Sequence, residues 1–248
     1  MNAALAVFAL APGLALGSFL NVVATRIPLR RSVIKPRSAC MSCGNELAWY
    51  DNLPLVSYAL LRGRCRSCGI RISPLYPAVE LATAGLVAAC FVVFGLTGEA
   101  VVASFFCAVL VAVTATDLTH RIVPNRIVLP AALVVLVAQT ALDPSPEWLL
   151  GALGASGFLF AAALAYPAGM GMGDVKLALL LGAMLGYLVG VGLMIGMVAA
   201  LVPSIYLLAR HGAAARKMGI PFAPFLAFGA IVALFAGQVI FDAYLSAF

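Results

Sequence analysis

Charge is scarce in this sequence. Only 10% of its 248 residues are Asp, Glu, Lys or Arg and 64% are hydrophobic, whereas a soluble domain carries about a quarter charged residues. That scarcity excludes an ordinary water-soluble domain. Acidic groups are the thinner side, with nine against fifteen basic residues and a net charge of +6. A basic excess can signal nucleic acid, but here no basic face is interleaved with aromatics, so no nucleic-acid partner is expected. No internal repeat stands out and no coiled-coil heptad persists, which sets aside repeat arrays and long coiled coils.

What the chain has is apolar length. The first run, Asn2 to Ala24, can span about 34 Å at 1.5 Å per residue. No basic segment precedes it, and it is longer than the roughly 7–15 residues of a signal-peptide core. It reads as a retained membrane helix. Gly17-Ser18-Phe19-Leu20-Asn21 brings small and polar groups into that span, a pattern that serves helix packing. Further spans are predicted near 78–95, 99–116, 126–142, 148–166, 175–187, 189–209 and 224–246. The stretch 175–209 is too long for one crossing of about 20 residues, and is divided near Gly186-Tyr187. Pro130 and Pro203 fall inside predicted helices, where neighbouring helices must accommodate them. The fold class is all-α: a polytopic membrane helix bundle of about eight spans. The domain reading is a first helix at 1–24, a loop domain at 25–77 and a membrane-embedded remainder at 78–248.

The loop is unlike the rest. It holds nine of the fifteen basic residues and four of the six cysteines, arranged as Cys40-Met41-Ser42-Cys43 and Cys65-Arg66-Ser67-Cys68. Two C-x-x-C pairs let four thiolates converge on one zinc ion, each pair forming a short knuckle. Gly44 and Gly69 follow the pairs directly, where a knuckle needs an unhindered turn residue. The rival is two disulfides, but a basic loop is expected in the cytoplasm, where thiols stay reduced. Four thiolates leave no open coordination position, so the zinc should be structural. Arg62, Arg64, Arg66 and Arg71 cluster at the second pair, either offsetting the charge of the metal–thiolate centre or forming an ordinary solvated surface.

Charge also orients the chain. Under the eight-span reading, all fifteen Lys and Arg residues lie in, or immediately flank, 25–77, 117–125, 167–174 and 210–223. The other connections have none. The positive-inside rule puts that first set in the cytoplasm and both termini outside. Asp117, at the end of one apolar run, and Asp174, at the start of another, then share the cytoplasmic face. Asp174 belongs to Gly169-Met170-Gly171-Met172-Gly173-Asp174-Val175-Lys176. A charge at a membrane helix costs several kcal/mol, roughly 2.5–3.5 at its centre, unless it is paired, solvated or functional. Two carboxylates brought together can share a proton and activate water. The plainer reading is that Asp174 caps its helix. Helix ends suggest roles for a pair: Asp117 at a C-terminus holds the shared proton, and Asp174 at an N-terminus activates water. His120 reads as solvated or headgroup-facing, Arg121 and Arg126 as interface anchors, and Cys90 and Cys107 as small buried residues.

These motifs together resemble the type IV prepilin peptidase family, bacterial membrane aspartyl proteases that also N-methylate their products. The likeness runs over nearly the whole chain. It takes in Gly17-Ser18-Phe19-Leu20-Asn21, the paired C-x-x-C loop, Asn52-Leu53-Pro54-Leu55-Val56-Ser57-Tyr58 and Leu61-Arg62-Gly63-Arg64-Cys65. It continues through Tyr76-Pro77-Ala78-Val79-Glu80, the Asp117 segment with Pro124-Asn125, Gly171-Met172-Gly173-Asp174 and Pro221-Phe222-Ala223-Pro224-Phe225-Leu226. G-x-G-D alone is shared with presenilin-like proteases; its combination with the cysteine loop is specific. The resemblance implies a peptidase of the bacterial inner membrane, with Asp117 and Asp174 as catalytic carboxylates. It would remove the cytoplasmic leader of type IV prepilins or pseudopilins, then methylate the new N-terminus with S-adenosylmethionine. Glu80 is a candidate for handling the amine in that methylation, and a buried carboxylate pairing a loop arginine is the alternative.

Two other classes use similar parts. An ion-coupled transporter also carries intramembrane aspartates and broken helices, but near the midplane and usually in related halves. A non-enzymatic scaffold would have no use for the paired aspartates.

Overall fold

The computed structural model describes residues 2–167, 170–212 and 219–247, with side chains from Leu5 onward. Nine α-helices occur among them: α1 (Asn2–Arg26), α2 (Val56–Leu60), α3 (Leu75–Phe94), α4 (Gly98–His120), α5 (Asn125–Leu142), α6 (Glu147–Ala165), α7 (Met172–Leu185), α8 (Val189–His211) and α9 (Ala223–Ser246). No strand longer than an isolated bridge occurs in the described residues. Seven helical stretches are long and apolar enough to cross a bilayer when 172–211 is taken as one, so this is a multi-pass membrane protein. Pro12, Pro130 and Pro203 all lie inside helices.

The chain divides into two compact units, residues 1–116 and 117–248. In the first, α1 and α3 run antiparallel and very close. A Cβ at Gly13 would sit 2.8 Å from the Ala84 Cα, and one at Gly17 only 2.7 Å from the Glu80 Cα. Small residues therefore set this contact, as expected where apolar packing alone gives no preference over lipid. Asn21 Nδ2 donates to the Tyr76 carbonyl at 3.1 Å. Leu20 and Ala24 of α1, Val79 of α3 and Ala108, Val111, Ala112 and Ala115 of α4 close a shared core.

In the second unit α6 and α7 pack through Gly151 against Gly182 and Gly186. The run 172–211 is broken by a 3-10 turn at Gly186–Leu188, where Gly186 has a φ of 55°. The chain reverses there. Leu188 lies against Gly237 of α9, Gly192 against Ala230 and Ala233, and Gly196 against Phe225 and Leu226, so α8 runs back along α9 toward the start of that helix. The division expected near Gly186-Tyr187 thus corresponds to a real turn. α7 itself has only 14 residues.

Helix ends differ from expectation at two functional positions. α4 continues to His120, which puts Asp117 a turn inside it, and α7 begins at Met172, which makes Asp174 its third residue. Hydropathy changes where charge begins, but backbone hydrogen bonding continues for another turn.

Candidate functional site

Asp117 and Asp174 both belong to the second unit. Asp117 is 6% exposed, and its Oδ2 accepts a hydrogen bond from the Ala223 N–H at 3.2 Å. That N–H opens α9, with Pro224 directly behind it. A proline in the first turn takes the place of a donor the helix cannot use, and the preceding amide is left to serve the carboxylate. Arg121, one turn after Asp117, is close enough to act on it electrostatically.

Asp174 is half-buried and within electrostatic reach of Asp117. It is not the cap of α7. Gly171 holds that position, and the Asp174 carboxylate faces back toward the Gly171 N–H, the reach-back arm of a capping box. Gly173 brings this turn against the preceding loop, since a Cβ there would lie 2.8 Å from the Val123 Cβ. Lys176 turns to the start of α5 in an exposed hydrogen bond. Its Nζ donates to Asn125 Oδ1 at 3.0 Å, tying α7 to the start of α5. Gly169 lies outside the described residues.

Ala223 and Asn125 were not expected as parts of this site. The sequence carries a signal for each: Pro-Phe-Ala-Pro marks a helix start, and Pro124-Asn125 marks a turn ahead of α5. Neither pattern identifies the partner, because Ala223 is 106 residues from Asp117 and Asn125 is 51 from Lys176.

The other candidate residues lie in the first unit. Cys40, Cys43, Cys65 and Cys68 present sulfurs all within 4.8 Å of one another. Cys40 Sγ and Cys68 Sγ are 3.8 Å apart and all four cysteines are free thiols. Four sulfurs placed tetrahedrally about 2.3 Å from one ion would stand about 3.8 Å apart. The cluster can therefore hold a metal ion. The two knuckles are near copies. Gly44 N–H donates to the Cys40 carbonyl and Gly69 N–H to the Cys65 carbonyl, both at 2.9 Å, and the glycines have φ of 73° and 70°. Backbone N–H groups of Cys43 and Ser42 hold the Cys40 thiol down to about 6. At Cys68 the Ile70 N–H pulls the same way, but desolvation and the three neighbouring thiols outweigh it and push the group up to about 11. Arg66 is committed elsewhere. It grips Asp51 through two nitrogens, at 2.7 and 3.0 Å, and lies over the Tyr50 ring, so it is not free to offset a metal–thiolate charge.

Glu80 is 8% exposed. The expected alternative of a loop arginine does not occur: among the described residues the one ion pair is Arg66–Asp51. Glu80 Oε2 instead accepts the Leu55 N–H at 2.8 Å. It lines a cavity of about 780 Å³ between the end of α1, the cysteine loop and the start of α3.

A profile described as the type IV leader peptidase family matches residues 104–237, more than half of the chain. This chain belongs to that family. A second profile, the bacterial peptidase A24 N-terminal domain, matches residues 12–94. A prepilin leader peptidase/N-methyltransferase of Bacillus subtilis strain 168 is 39% identical over 243 residues, covering 94% of this chain and 95% of the relative. One from Myxococcus xanthus strain DK1622 is 42% identical over 222 residues, covering 85% and 66%. One from Pseudomonas aeruginosa is 34% identical over 268 residues, covering 94% and 91%. No solved structure matches the chain. The transporter alternative finds no support among these leader peptidases.

Proposed function

We propose that this protein is a membrane aspartyl endopeptidase that cuts the cytoplasmic leader from type IV prepilins or pseudopilins, then N-methylates the new N-terminus. The observation that carries the peptidase reading is the pair Asp117 and Asp174, one buried and held by a backbone amide, the other interacting with it from the first turn of α7. One carboxylate takes a proton from water, which attacks the scissile carbonyl. The other, protonated, polarises that carbonyl and then supplies the leaving amine with its proton. Both carboxylates meet the amide end of a helix, Asp117 at α9 and Asp174 at α7. Asp117 meets the amide end of α9 as well as lying in the last turn of α4, so helix ends alone do not divide the roles, and the two are treated as a unit.

The four cysteines are assigned to a structural zinc. Their number, their spacing and the 3.8 Å separation of Cys40 and Cys68 support that ion, which when bound cross-links a loop too small to build its own core. S-adenosylmethionine is the methyl donor, supplying an electrophilic methyl group. The first-unit cavity suits such a molecule: about 780 Å³ is within the range of small-molecule sites, and its walls carry both carboxylates and guanidinium groups as well as leucines.

The deciding experiment gives the purified protein a prepilin and the methyl donor. Expected products are a chain shortened at the leader junction and heavier by one methyl group, read by mass spectrometry. An intact prepilin would overturn the reading.

The location is the bacterial inner membrane with the carboxylates toward the cytoplasm, supported by the basic residues beside them, Arg121, Arg126 and Lys176. With native cysteines kept, a Ser145→Cys variant should react with an impermeant thiol reagent on intact cells. A Ser32→Cys variant should react only after permeabilisation. The reverse pattern would place the carboxylates on the wrong side for a cytoplasmic leader.

A further inference from the structure

Glu80 is a carboxylate built into a wall, and among the described residues no cation pairs with it. α1 approaches it so closely that a Cβ at Gly17 would meet its Cα. From α1 it is faced by Ser18 and Asn21, both neutral, and from the loop by the Leu55 N–H. Leu55 itself sits at a φ of 58°, a conformation that costs a leucine on the order of 1–3 kcal/mol and persists only where its surroundings impose it. The loop therefore holds a strained residue to bring one amide onto Glu80 Oε2. That amide orients the carboxylate without neutralising it. Five arginines, Arg26, Arg31, Arg37, Arg66 and Arg71, line the same cavity, but Arg26 donates to the Ser32 and Arg37 carbonyls, Arg66 pairs with Asp51, and none of the five forms an ion pair with Glu80. A buried carboxylate left without a cation is costly, and an opening of this size gives a cationic ligand room to reach it.

We propose that Glu80 is the amine-binding and proton-accepting residue of the methylation, and that the cavity beside it takes the N-terminus of the leaderless chain together with the methyl donor. This rests on the methyltransferase reading above. The cavity continues from Glu80 past Leu53, Leu55 and Leu61, an apolar wall suited to the hydrophobic segment that follows the new N-terminus. The chemistry demands a proton acceptor, because an α-ammonium has no lone pair and its ordinary pKa is about 8. The ammonium gives one proton to Glu80. The freed nitrogen lone pair then takes the methyl carbon as the methyl–sulfur bond breaks, and the sulfur keeps that bonding pair, passing from sulfonium to neutral thioether. The positive charge ends on the methylated, secondary ammonium.

The test uses the full-length protein in lipid and a synthetic leaderless peptide, so it does not depend on peptide-bond cleavage. Binding is measured first, without methyl donor, for the peptide with a free α-amine and for its N-acetylated form. The wild-type protein is expected to prefer the free amine by about tenfold or more, the order expected of a charge-assisted hydrogen bond. Glu80→Gln, which keeps an oxygen for the Leu55 N–H, should bind both alike. With donor added, methylation by Glu80→Gln should fall about 100-fold, the usual contribution of a positioned base. Its residual rate should climb with pH until about 8, where the amine loses its proton unaided. Leader cleavage by Glu80→Gln, assayed in parallel, should match wild type. A variant that keeps its preference for the free amine, methylates at the wild-type rate, or loses cleavage and methylation together would overturn the assignment. Failure of the wild-type protein to cleave would count against the peptidase reading instead, with the leaderless peptide still reporting on Glu80.

Discussion

Asp117→Asn or Asp174→Asn, each alone, is expected to lower leader cleavage by about 10⁴-fold or more, while the protein still folds and inserts. The magnitude follows from removing one member of a catalytic group whose parts act only together. The double variant should be no slower than either single one, for the same reason. Asparagine is nearly the size of aspartate, so packing around the buried Asp117 position is preserved, and its side-chain oxygen can still accept the Ala223 N–H. What it cannot do is exchange a proton with water or with its neighbour. The measurement is a cleavage time course by mass spectrometry with purified variants, alongside thermal unfolding. Near-normal cleavage by either variant would end the case for these residues. A multiplicative loss in the double variant would argue against a shared proton.

Replacing any one of Cys40, Cys43, Cys65 and Cys68 with serine is expected to release the metal and loosen the loop together. The wild-type protein should carry one zinc per chain by elemental analysis. Loss of a direct ligand should weaken retention by more than the 10–100-fold typical of losing a partner one step removed. The four side chains converge from two knuckles, each closed by its own short turn, so metal binding and loop order should be one process. Limited proteolysis should then cut between residues 38 and 71 in the variants and not in the metal-bound protein. Absence of zinc from freshly isolated protein would refute the assignment, as would disulfides among these four residues.

Much of this was legible because apolar length and cysteine spacing are local properties. The division at Gly186, Pro130 and Pro203 inside helices and the two knuckle glycines were readable from composition and spacing alone. Other features were not, and for one physical reason: they are pairings between residues far apart in the chain. That Ala223 would supply the amide for Asp117 depends on how α9 starts beside α4, which no window of sequence contains. The same holds for Lys176 with Asn125 and for Glu80 with Leu55. Arg66 is instructive. Its position beside Cys65 suggested a role at the metal, but Asp51 and Tyr50 reach it from a neighbouring turn. Proximity in sequence was the weaker guide. Likewise, the helix-end argument for dividing roles between Asp117 and Asp174 considered each residue's own helix and not the end of α9.

The shortness of α7 bears on where the cut is made. Its 14 residues extend about 21 Å, against a hydrocarbon layer of about 30 Å. The turn at its far end is fixed at one boundary of that layer, because Gly186 lies against Trp148 and Glu147, and an indole with a neighbouring carboxylate belongs at the headgroups. Measured from there, Asp174 stops several Å short of the opposite boundary. On the proposed reading, Asp174 would lie below that boundary, reached either by a dip of the lipid or through a wet recess in the protein. The proposed cleavage would then require the scissile bond to descend below the boundary with part of the polar leader still attached. Bilayer thickness is therefore a parameter of this reaction, set by the length of one helix.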